Sequence, residues 1–199
     1  VFRQVPVLPI VVPLAALTCA MLLGILARRR RLTPSRAALT LAFCVYLAGI
    51  VANTIFPIFL DKPHSSAPWT GHLALVPFVD YEVADAVMNI AVFLPLGMML
   101  PLLAARPRWW RAVAVATAVS LGIETTQYVT AHLLGGGHLA DVNDLIFNVL
   151  GGALGYLLLA GLVRVPGIGG VVDRFRWHDA PAPDAAPAAE QVLPPGGRP

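Results

Sequence analysis

The chain has 199 residues, 57% hydrophobic and 13% charged, with a mean hydropathy of +0.73. A soluble globular domain carries about 25% charged residues, so this deficit, together with repeated apolar runs of about 20 residues, argues against a soluble domain and for a single integral membrane domain. The formal charge of +3 includes fourteen basic residues, of which only Lys62 is lysine. They sit at the margins of the apolar runs, so no nucleic-acid partner is expected.

Five apolar runs predict an all-α, polytopic bundle of about five transmembrane helices; period-2 alternation is absent. The first run, Val5 to Ala27, is too long for a signal peptide, and Arg28 to Arg31 follow it rather than precede it, so it reads as a retained span. The second, Ala37 to Leu60, carries Asn53 and Pro57. Cys19 and Cys44 lie inside these two runs and read as small core hydrophobes. The third, Val83 to Ala104, contains Asp85, Asn89, Pro95 and Pro101; Pro95 followed by Gly97 is expected to kink the helix and widen a cavity beside it.

The fourth run, Arg111 to Leu134, places Ser120, Glu124 and Gln127 at i, i+4 and i+7, which is one helix face. The fifth is Asn143 to Val163. Asp141, Asp144 and Asn148 lie at i, i+3 and i+7 along its entrance, and Gly151, Gly152 and Gly155 follow, where a neighbouring helix can approach closely. Residues 1–165 thus form the transmembrane domain. Residues 166–199 form a Pro/Ala-rich cytoplasmic tail, expected to be disordered from about residue 180.

Arginines set the expected direction. Arg28 to Arg31 and Arg36 lie in the first loop, Arg106, Arg108 and Arg111 in the third, and Arg164, Arg174 and Arg176 after the last span. The loops at 61–82 and 135–142 have only Lys62 between them. Basic loops remain in the cytoplasm, which places the N-terminus outside and the C-terminus inside a multi-pass plasma-membrane protein. Arg3 alone dissents. Trp69, Trp109 and Trp110 read as interfacial anchors.

The intramembrane polar residues are the candidate site. A short loop between spans four and five makes them an antiparallel pair. At about 1.5 Å rise per residue, Gln127 then lies roughly 10 Å below the outer end of span four, Glu124 roughly 15 Å below it, near the midplane, and Asn148 roughly 7 Å below the outer end of span five. With Asn89 they are expected to line one polar cavity. A carboxylate in hydrocarbon is costly, so Glu124 is expected to be protonated, hydrogen-bonded by a neighbour such as Gln127, or close to a cation. Structural roles compete: Asp141 as the N-cap of span five, Asp144 in its first turn, Asn148 in an interhelical hydrogen bond. His64, His72, His132 and His138 gather near the outer loops with Asp141, but their spacing matches no metal motif. No metal and no cofactor are expected.

The stretches "NIAVFLPLGMMLPLL" (89–103), "SLGIETTQY" (120–128) and "HLADVNDLIFNVLGGALGY" (138–156), preceded by "LALVPF" (73–78), resemble the VanZ-like membrane proteins in order and spacing over residues 73–160. That resemblance implies a bacterial cell-envelope protein related to one linked with resistance to the glycopeptide teicoplanin. It implies as partners membrane lipids and a lipid-linked cell-wall precursor or a lipoglycopeptide. It brings no established chemistry. The ligand would meet Asn89, Glu124, Gln127, His138, Asp141, Asp144 and Asn148. The resembling proteins usually carry arginine where this chain has His138, and a histidine supplies positive charge only when protonated. Two other readings remain open. One is an intramembrane enzyme acting on a lipid headgroup, with Glu124 and Asp144 as catalytic candidates beside Asp141. The other is a small transporter, for which the inner half shows no polar lining.

Overall fold

The computed structural model describes residues 2–61, 68–79, 81–104, 108–134 and 139–178. Five long helices dominate: α1 (Leu8–Arg28), α2 (Pro34–Thr54), α3 (Val83–Leu103), α4 (Trp109–Leu133) and α5 (Val142–Leu162). A short helix, α6 (Ile168–Asp173), follows them. The all-α membrane bundle is therefore the fold. α1, α2, α3 and α5 are each long and apolar enough to cross a membrane. α4 is the longest at 25 residues, but is interrupted by Ser120, Glu124 and Gln127, which it turns inward.

Helix directions follow from the contacts. The Ile90 and Leu94 carbonyls of α3 face Gly151 and Gly155 of α5 in the same order, so α3 and α5 are parallel. α4 meets α5 in reverse order, with Ala116 against Gly152, Ser120 bonded to Asn148 and Glu124 bonded to Asp141. Two parallel helices starting on one side need a return path between them, and α4 supplies it. At about 1.5 Å per residue its length suffices for a full crossing, although by composition it falls short of the other four long helices.

α3 and α5 touch along their backbones. A Cβ at Gly151 would overlap the Ile90 carbonyl, and one at Gly155 the Leu94 carbonyl. The glycines thus perform the close approach expected of them. Beside Pro95 the expectation changes. Gly97 is pressed against the Gly152 backbone, so the space after the proline admits α5 and is not a cavity. Pro95 lacks an N–H, which loosens that turn of α3; the Tyr46 hydroxyl of α2 donates to the Val92 carbonyl there at 2.6 Å. Ile50, Phe93, Leu96, Ala116 and Ile123 form the buried core between α2, α3 and α4.

α2 stops at Thr54, six residues before the expected end at Leu60. Pro57 has no N–H to continue the hydrogen-bond ladder, and residues 58–60 instead run extended beside the N-terminus. There Val5 donates to Ile58 O (2.9 Å), Leu60 donates to Arg3 O (3.0 Å), and Gln4 bridges Phe59 antiparallel. At the other end, residues 176–177 are fastened across the bundle. Arg36 Nε donates to Arg176 O (2.5 Å), Arg31 Nη1 to Trp177 O (3.3 Å), and Trp177 N to Leu102 O (2.9 Å). The expected disordered tail, together with Arg106, lies outside the described residues.

This topology segregates charge. Arg28 to Arg31, Arg36, Arg108, Arg111, Arg164, Arg174 and Arg176 all fall at the end formed by the α1–α2 turn, the start of α4 and the end of α5. Among the described arginines only Arg3 lies at the opposite end, where its N–H donates to Asp61 at 2.7 Å.

Candidate ligand-binding site at the acidic end

Asp141 opens α5. Its carboxylate accepts from Asn143 N at 2.8 Å, a side-chain N-cap that satisfies one of the donors a helix start leaves free. Asp144 lies in the first turn, where the helix dipole favours negative charge. Glu124 reaches the same place from α4: its Oε2 accepts from Asp141 N at 2.9 Å. Three carboxylates thus converge on the positive end of α5. Glu124 lies more than two turns before α4 ends, so α5 begins below the top of α4. Glu124 therefore sits beside the mouth of α5 and is not isolated in the middle of the bundle. Its partner is the Asp141 backbone, where the sequence suggested Gln127.

The segment preceding α3 closes over this mouth. β1 (Leu73–Ala74) pairs in parallel with β2 (Ala140–Asp141), Leu73 opposite Ala140 and Ala74 opposite Asp141. Phe78 then donates its N–H to Asn143 Oδ1 at 2.7 Å. Phe78 has φ +60°, a left-handed conformation costly for an aromatic residue. The Asn143 bond and edge-on packing against Tyr81 and Phe147 hold it there. Asn143 is 1% exposed and is the anchor that sequence reasoning missed. Its only signal was its position two residues after the N-cap, where a buried amide is free to leave the helix surface and bind a loop.

Between this loop, α4 and α5 lies a cavity of about 210 Å³, lined by Leu73, Leu75, Leu121, Thr125, Tyr128, Ala140, Val142 and Leu145, with Glu124 and Asp141 as its carboxylates. It is a mostly apolar cleft with an acidic patch, not the polar cavity expected. Four other candidates are in helix interfaces. Asn89 Nδ2 donates to Asp144 Oδ1 at 2.5 Å, joining α3 to α5. Asn148 Nδ2 donates to Ser120 Oγ at 3.0 Å, joining α5 to α4. Gln127 Nε2 donates to Thr54 O at 3.1 Å, joining α4 to α2. The expectation of one cavity shared by Asn89, Glu124, Gln127 and Asn148 is thus corrected. Helix rotation turns Glu124 to the cleft and the three amides to different neighbours. His138, with His64, lies outside the described residues.

Above the cleft, Trp69 stacks on His132 (centroids 3.7 Å apart) and approaches Tyr128 at 5.3 Å, with His72 edge-on to His132 at 5.6 Å. Trp69 is half-exposed and packs against the last two turns of α4. Among the described residues no three His, Cys, Asp or Glu side chains are grouped to hold a metal ion.

The profile of the VanZ/LLP1 family fits residues 43–164, a stretch running from the middle of α2 to just past α5. No curated protein and no solved structure matches the chain.

Proposed function

The chain belongs to the VanZ/LLP1 family, and on that premise we propose that it is a multi-pass plasma-membrane protein that binds a lipid-like cell-envelope ligand in the cleft between β1, α4 and α5. The observation carrying this reading is the lining of the cleft, which is mostly apolar, with the Glu124 and Asp141 carboxylates and the Thr125 and Tyr128 side chains as its polar members. Leucines suit an acyl or isoprenoid chain. The carboxylates are acceptors when ionised, so they suit a headgroup rich in hydroxyl or amine donors, such as the sugar of a lipid-linked cell-wall precursor or of a lipoglycopeptide. A contribution to teicoplanin resistance is the cellular form of the same reading.

Photo-crosslinking tests it. An amino-sugar amphiphile with a diazirine in its acyl chain, added to the full chain in lipid nanodiscs, is expected to label Leu75, Leu121 and Leu145. Leu145→Trp, which fills the cleft, is expected to remove most of that labelling. Adducts spread as densely along α1 as along the cleft would overturn the proposal. In a teicoplanin-sensitive host, expression of the chain is expected to raise resistance, and Leu145→Trp to abolish the gain.

The segregated arginines support an orientation with the acidic end outward and the basic end in the cytoplasm. In a cysteine-free background (Cys19→Ser, Cys44→Ser), Thr70→Cys is expected to react with an impermeant maleimide on intact cells. Reaction only after permeabilisation would reverse the assignment.

A further inference from the structure

At the basic end, a second groove of about 250 Å³ runs between the last turns of α3 and α5. Pro101, Tyr156, Leu159, Ala160 and Val163 form its walls, and Arg164 and Arg176 stand at its rim. The two arginines come from different elements. Arg164 follows α5 directly, and its Nη1 donates to the Ala160 carbonyl at 2.8 Å, which folds the guanidinium back along the helix. Arg176 arrives only because residues 176–177 are strapped across the end of the bundle. Arg36 and Arg31 hold the carbonyls of Arg176 and Trp177, and Leu102 holds the Trp177 N–H. Arg176 Nε is paired with Asp173 at 2.7 Å. The remaining N–H donors of both guanidiniums have no protein partner among the described residues. On the far side of Tyr156, a smaller groove shares Pro101 and is bordered by Arg108 and Arg111.

From this arrangement we propose that the α3–α5 groove is a binding site for an anionic phospholipid. The phosphodiester would lie between the Arg164 and Arg176 guanidiniums, whose planar forks match phosphate oxygens. An acyl chain would follow Leu159 and Val163 along α5. Charge complementarity selects the occupant, and the apolar wall distinguishes a lipid from a free anion. The strap fixes the Arg176 backbone, and Asp173 holds its Nε, so part of the ordering is in place before the lipid arrives. This site is separate from the acidic cleft and stands whether or not that cleft binds a ligand.

Native mass spectrometry of the full chain from neutral detergent tests the proposal, with phosphatidylglycerol and phosphatidylcholine of equal chain length as probes. Wild type is expected to retain phosphatidylglycerol preferentially. An arginine beside an anionic headgroup contributes roughly fivefold to its attraction, so losing both groove arginines in Arg164→Gln/Arg176→Gln is expected to cut the preference by about 25-fold or to none. Arg164→Lys/Arg176→Lys keeps the charge but loses the planar fork, and is expected to keep a preference between those of wild type and Arg164→Gln/Arg176→Gln. The control is Arg29→Gln/Arg30→Gln, which removes two exposed charges from the same end; neither lines the groove, and a neutral micelle offers them no anionic surface, so the preference is expected to stay within about twofold. Three results would each overturn the proposal: an unchanged preference in Arg164→Gln/Arg176→Gln, an equal loss in the control, or displacement of phosphatidylglycerol by millimolar inorganic phosphate.

Discussion

α1 and α4 reverse the usual relation between hydropathy and burial. α1 is apolar along its whole length, yet buries only Val11 and Leu26; Leu8, Val12, Leu14, Leu17 and Met21 stay exposed. α4 is the one long helix not apolar enough to be counted as a span by composition, yet it buries eight residues, among them Ser120, Glu124, Gln127 and Thr130. In water the greasier helix would occupy the core. In a bilayer the lipid is as apolar as leucine, so apolar surface gains little by hiding, and small and polar residues determine which faces meet. The family match has the same boundary: it omits α1 and takes in all of α3, α4 and α5.

The largest test of this contrast is at the glycines. Gly155→Leu would drive a side chain into the Leu94 backbone, whereas Gly24 in α1 has nothing within 4 Å of its Cβ position. Gly155→Leu is expected to cost about 3 kcal/mol or more and to abolish folded protein. Gly24→Leu is expected to stay within about 0.5 kcal/mol. Unfolding of the purified variants in detergent measures both, and equal tolerance would refute the α3–α5 contact.

Next come the helix starts. Asp141 caps α5, whereas Val7 at the start of α1 makes no side-chain cap. Asp141→Ala is expected to lose about 1 kcal/mol, with Asp141→Asn retaining most of it. Val7→Ala is expected to move the same unfolding midpoint very little. A double-mutant cycle on Asn148 and Ser120 should then give a coupling of about 0.6 kcal/mol, the average for intramembrane hydrogen bonds. A coupling of zero would mean that the two do not bond across α4 and α5. The smallest effect is expected at the lipid face. Leu17→Ala, at a residue 69% exposed, is expected to change stability by less than about 0.5 kcal/mol, and a loss above 2 kcal/mol would show that another surface covers α1.

Local chemistry made much of this protein legible in its sequence. Runs of about 20 apolar residues mark the helices, Pro and arginine clusters mark their ends, and the i, i+4, i+7 stripe of Ser120, Glu124 and Gln127 marks an inward face. The cap at Asp141 and the close approach at Gly151 and Gly155 depend on spacing along one helix, which the sequence displays directly. Partners across the bundle do not. Only the tertiary structure decided that Glu124 bonds the Asp141 backbone, that Asn89 meets Asp144, that Gln127 turns to Thr54, that Phe78 hangs from Asn143 and that Arg176 is strapped beside Arg164. Each of those pairings depends on the rotation and vertical offset of one helix against another. Both are set by backbone contact at the glycines and by the loops at β1 and β2. A periodic pattern specifies which face turns inward, but a shift of a single helical turn, about 5.4 Å, is enough to exchange one hydrogen-bond partner for another.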